Sequence, residues 1–113
     1  MSNTSKWSTQ PTPDLLRQAA EILRQRGLAR GKFKDPNGSG SVCMLGACAL
    51  AAGSDDPDDG GYMPQVVEFL AQGLAETPTP FNEVTRFNDL AADVEAVATF
   101  LEQAAQRAEE VEK

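Results

Sequence analysis

The chain has 113 residues and a formal charge of −7, from 10 basic and 17 acidic residues, with no histidine. The length sets one domain with a modest core, and the acidic balance disfavours duplex nucleic acid as a partner. The missing histidine removes the commonest general base and zinc-ligating nitrogen.

Residues 1–11 read as a flexible tail. Met1 to Lys6 lacks the apolar run of a signal peptide, and nothing approaches the ~20 apolar residues that span a bilayer. A cytoplasmic protein with reduced thiols and no membrane partner is therefore expected. Trp7 is expected to pack on its own domain, with a partner anchor as the sharper alternative.

Thr12-Pro13-Asp14 predicts a helix start: a capping hydroxyl, a proline at the first helical position and an acid for the dipole. Leu15, Leu16, Ala19, Ala20, Ile22 and Leu23 form one apolar face at helical spacing. Gly27 is placed to end that helix in a left-handed conformation. Between Leu28 and Val42, Lys32-Phe33-Lys34 alternates, and Asp35 to Gly40 is dense turn chemistry. That pattern predicts a small β-hairpin returning through Ser41-Val42-Cys43.

Cys43 to Ala52 is continuously apolar and predicts a short buried helix. An acidic loop follows from Ser54 to Gly61. Pro64 starts a third helix with Met63, Val66, Val67, Leu70 and Leu74 inward, broken by Thr77-Pro78-Thr79-Pro80. Thr79-Pro80 repeats the cap logic of the first helix. The next short helix carries Phe81, Val84 and Phe87 at steps of three. Asn88-Asp89 is expected to turn the chain into the last helix and to cap it. Leu90, Val94, Val97, Leu101, Ala104, Ala108 and Val111 then form a heptad-like seam. It is read as an internal packing face, with a homodimer seam as the alternative to a monomer. Residues 12–108 thus read as one domain: mainly α, four to five helices around one core with one small β-hairpin. Residues 109–113 read as a fraying end, since Glu109, Glu110 and Glu112 oppose the helix dipole.

The chemical inventory is thin. Cys43 and Cys48 would point about 140° apart on a helix and are expected to pack as small hydrophobes. The run Asp55 to Gly61 has the acid density of a calcium loop. Counting from Asp55, however, Pro57 and Val66 fall at positions 3 and 12, where oxygen ligands are required. Gly38-Ser39-Gly40 lacks the lysine-serine ending of a phosphate loop. No metal ligands, cofactor or catalytic residues are expected. Arg24, Arg26, Arg30, Lys32 and Lys34 hold half of the ten basic residues. They are the candidate ligand- or partner-binding cluster, read either as a site or as a solvated face.

Cys43-Met44-Leu45-Gly46-Ala47 and Phe87-Asn88-Asp89 carry a resemblance. The chain resembles a family of small uncharacterised proteins of actinobacteria and their bacteriophages, mycobacterial phages among them. Such proteins join an N-terminal helix, a glycine-containing loop and a Cys-Ala-Leu-Gly-Ala-Leu-like segment to an aromatic-Asn-Asp turn and a terminal amphipathic helix. The likeness runs over Leu15 to Leu50, Val84 to Asp89 and Val94 to Ala105. Two departures stand out: Leu28-Ala29-Arg30-Gly31 replaces an aromatic-Cys-Gln-Gly, and the loop after Asn-Asp is shortened to Leu90-Ala91-Ala92. The resemblance implies no catalytic residue, because none is established for the family. Together these readings favour a non-enzymatic protein-binding or regulatory module, phage- or prophage-encoded. A binder of a small anionic or phosphate-bearing ligand at 24–34 is the alternative, and an enzyme of unknown type comes last.

Overall fold

The computed structural model describes residues 9–74 and 78–112. Trp7, most of the expected tail and Thr77 lie outside the described residues. Among the described residues there are five α-helices and one 3-10 helix: α1 (Pro13–Arg26), α2 (Met44–Ala51), the 3-10 helix (Pro57–Tyr62), α3 (Pro64–Gln72), α4 (Pro80–Leu90) and α5 (Val94–Glu112). Among the described residues no helix is long and apolar enough to cross a membrane.

Helix α1 starts as its sequence dictates. Thr12 Oγ1 accepts from the Leu15 amide at 3.2 Å, and Pro13 occupies the first turn. Gly27 follows with φ 94° and ψ 168°, a positive φ outside the left-handed helical well. Leu16, Ala19, Ala20 and Leu23 are fully buried, and α5 covers them with Val97, Leu101, Ala104 and Ala108. The middle of the seam is thus packed inside the molecule, while Leu90 and Val111 at its ends are 72 % and 77 % exposed. Ion pairs place the two helices antiparallel. Arg17 meets Glu109 at 2.8 Å; Arg24 reaches Glu95 at 2.9 Å and Glu102 at 2.6 Å. At the other side of α5, the Arg107 guanidinium lies 4.2 Å over the Phe69 ring and donates to the Phe69 carbonyl at 3.1 Å. That contact ties α5 to α3.

Helix α2 is the core element. Every residue from Met44 to Ala49 is buried, so the helix is apolar all round. The thiols of Cys43, which caps the helix, and of Cys48 within it are both free and buried. The 3-10 helix packs on α2, and α3 packs on α4.

The expected hairpin is not formed. Residues 28–42 contain only two isolated bridges, Leu28 with Val42 in parallel and Lys34 with Val42 in antiparallel. The turn itself exists: Gly38 N donates to Asp35 O, and Asn37 N to Asp35 Oδ1 at 2.9 Å. What fails is the ladder. Val42 is shared between two extended segments, giving its amide to Gly27 O and accepting from the Ala29 amide. Glycines at positive φ, Gly31 and Gly40, bend both arms out of extended conformation. Two further capping expectations also differ. Thr79 makes no side-chain capping bond to α4. Helix α5 is capped by Asp93, whose Oδ1 accepts from the Ala96 amide at 2.9 Å.

Loop and core meet closely at Gly46. A Cβ built there would collide with the Phe33 carbonyl oxygen and press on Pro57 and Val42. Gly46→Ala is therefore expected to destabilise by about 1–3 kcal/mol, the usual cost of overpacking, despite alanine's higher helix propensity. Urea unfolding of the variant measures it; an unchanged or raised midpoint would contradict the close contact.

Candidate functional site

The N-terminus of a buried helix carries amides that water cannot reach, and these need partners. In α2 they are met from two directions. The Cys43 sulfur accepts from the Gly46 amide at 3.3 Å. Asn88, on the last turn of α4, accepts from the Met44 amide through Oδ1 at 2.8 Å. The same Asn88 donates from Nδ2 to the Ala29 carbonyl at 3.0 Å and to Asp89 Oδ1 at 3.1 Å. Asp89 Oδ1 also accepts from the Gly31 amide at 2.8 Å. Asn88 and Asp89 thus spend their hydrogen bonds on the loop after α1 and on the start of α2, and α5 receives none of those bonds.

This network frames a cavity of about 280 Å³ between residues 31–33, the start of α2 and α4. Its walls are mostly apolar: Phe33, Met44, Leu45, Phe81 and Val84. Asp89, Thr85 and Lys32 supply the polar part. A second cavity of about 400 Å³ adjoins it, lined by Gly61, Pro64, Val67, Pro80 and Glu68 among others. Phe81 lines both. It is 39 % exposed, with its ring centroid 6.2 Å from that of Phe33. Phe81, Val84 and Phe87, spaced at steps of three, have three different surroundings. Val84 is buried, Phe87 stacks on Phe100 at 4.7 Å, and Phe81 stands between the two cavities.

The basic cluster is dispersed. Arg24 is engaged by Glu95 and Glu102, and those carboxylates hold its pKa above the ordinary value. Arg26 donates to the Gly40 carbonyl at 3.4 Å and Arg30 to the Ala91 carbonyl at 2.8 Å. Lys34 pairs with Asp56 at 3.3 Å. Lys32 alone of the five lines the cavity beside Asp89; Arg30 and Lys32 share a smaller polar depression with Asp35 and Ser41. Among the described residues no three His, Cys, Asp or Glu side chains gather as metal ligands.

Cys43 lines the cavity but is poorly set up as a nucleophile. Burial pushes its thiol up to about 11, against smaller opposing contributions from the amides of the α2 start. Burial raises Cys48 in the same direction. The attacking species would be the thiolate, and burial holds both sulfurs toward the protonated form.

Two measurements check this account. Asn88→Ala would leave the Met44 amide and the Ala29 carbonyl without their partner and should cost about 2–4 kcal/mol; a loss below about 1 kcal/mol by urea unfolding would contradict the role. For Cys43, an ordinary thiol titrates at 9.0 and the folded one at about 11. Between those values the native state keeps a proton that the unfolded state has released. Stability should therefore be intact below pH 9 and fall by roughly 3 kcal/mol as pH rises through the folded value. Cys43→Ala should flatten part of that alkaline slope, leaving the contribution of Cys48; an unchanged slope would exclude Cys43 as its source.

A family model described as a family of unknown function, DUF6197, matches residues 8–107. No curated protein matches the chain, and no solved structure does. The matched span takes in the network and both cavities, and on that span the chain belongs to the family of unknown function DUF6197.

Proposed function

We propose that this chain is a non-enzymatic protein-binding or regulatory module that docks a segment of a partner protein along its two adjoining cavities. The observation that carries the reading is Phe81, a part-exposed aromatic that lines both cavities at once. Partly exposed aromatics beside preformed apolar cavities are what interface anchors are built from. The frame around them is fixed by the Asn88 and Asp89 bonds to backbone, so little ordering is required on binding.

A catalytic reading has less support. The cavity's thiol is buried, raised by that burial and engaged as a helix cap, and among the described residues no side-chain base hydrogen-bonds to it as a nucleophile–base pair requires. An anionic ligand at residues 24–34 also has less support, since Arg24, Arg26, Arg30 and Lys34 are each engaged with oxygens of the protein itself. The resemblance to proteins of actinobacteria and their phages extends the proposal to a phage- or prophage-encoded protein acting in the host cytoplasm.

Immobilised protein exposed to actinobacterial host lysate tests the reading. The wild type should retain a discrete partner through high-salt washing, and Phe81→Ala should lose it while keeping the wild-type circular dichroism spectrum and melting temperature. Equal retention by the folded variant would remove the two cavities as the docking site.

A further inference from the structure

Docking of apolar side chains leaves the Asp89 carboxylate in the first cavity unused. Its Oδ1 is doubly occupied by the Gly31 amide and Asn88 Nδ2. No described residue donates to Oδ2, and no buried polar side-chain atom of the described residues lacks a partner. Oδ2 is therefore an accessible acceptor. It is also a fixed one, because two hydrogen bonds already set the position of the carboxylate. Fixing an acceptor in advance removes the ordering cost that weakens most surface ion pairs.

The surroundings narrow what would occupy it. Phe33, Met44, Leu45, Phe81 and Val84 make an apolar sleeve of about 280 Å³. Small-molecule pockets run from roughly 300 to 1,000 Å³, so this one suits a single side chain better than a whole cofactor. An apolar sleeve beside a fixed carboxylate matches a methylene stem ending in a cation. The two phenylalanine rings add favourable faces for that cation. Charge favours the same occupant. The chain carries −7 overall, Glu68 lines the second cavity, and the adjoining 3-10 helix carries Asp58 and Asp59. Lys32 is the opposing charge, but it is an exposed residue, and water and salt screen exposed charges.

We propose that the first cavity receives a lysine or arginine side chain of the partner segment, with Asp89 Oδ2 as its counter-ion. The inference rests on the protein-docking reading and assigns the chemistry of the docked residue. The second cavity then takes a neighbouring apolar residue on the other side of Phe81.

The probes are Nα-acetyl-lysine amide and Nα-acetyl-arginine amide, titrated into the full chain and followed by amide resonances in NMR. Both should give saturable shifts at Gly31, Met44 and Asp89, while Nα-acetyl-norleucine amide, with a stem but no charge, should give none. Asp89→Asn keeps the acceptor for the Gly31 amide and removes only the charge, so it should weaken binding about tenfold. Glu110→Gln removes the same charge from a distant part of α5 and should change affinity less than twofold. Overturning results are no saturable shift with either cation, norleucine amide binding as well as lysine amide, or unchanged affinity in Asp89→Asn. If the cations fail while partner retention still depends on Phe81, this inference falls and the docking reading stands. If retention is independent of Phe81, the docking reading falls.

Discussion

A buried helix start needs hydrogen-bond acceptors, and in this protein that need organises everything around it. Helix α2 is too apolar to lie at the surface and too short to be stable by itself. Once inside, its first amides must be satisfied by protein. Asn88 satisfies one of them and with its other end holds the carbonyl of Ala29. One amide side chain therefore joins three elements that are remote in sequence. Burying an asparagine is unfavourable unless its donors and acceptor are all used, and here its Oδ1 accepts once and its Nδ2 donates twice. The cleft lies where α4 makes those bonds, with Phe33 of the loop at 31–33 forming part of its wall.

The helices were legible because each announces itself locally. Thr12-Pro13-Asp14 and the spacing from Leu15 to Leu23 define α1 without reference to anything else, and continuous apolarity marks α2 as interior. The hairpin was misread for a related reason. Alternation around Lys32-Phe33-Lys34 and the turn residues at 35–40 are genuine local signals, and the turn forms. Local pattern cannot reveal that Val42 would be claimed by the segment after α1 as well. Thr79 shows the same limit at a helix end: the residue type is right, yet the backbone enters at φ −126° and ψ 67° and no capping bond results.

The site was less legible than the fold. Asn88 and Asp89 could be singled out as residues that bond backbone amides, but their targets lie 44 to 59 positions away, and a cap on the following helix was the nearer choice. The basic residues drew attention by density alone. Density says nothing of direction, and Arg24 turns to α5 while Lys34 turns to the acidic loop. Phe81 was not singled out, since its spacing of three from Val84 says nothing of a cleft beside it. Residues 31–33 and the start of α2 line the space on one side of it, and Gly61 and α3 the space on the other.

The cleft walls come from residues 31–33, 43–45 and 81–89, so no contiguous fragment shorter than about half the chain contains them all. The cleft is a property of the finished tertiary structure and disappears with it. Binding is then linked to global unfolding, because an occupant would be held by the native state and not by the open chain. The melting curve of the whole protein becomes a detector for this one cleft, and a ligand at 100 times its dissociation constant would register there as about 2.7 kcal/mol. That linkage makes stability itself an assay for occupancy of the cleft.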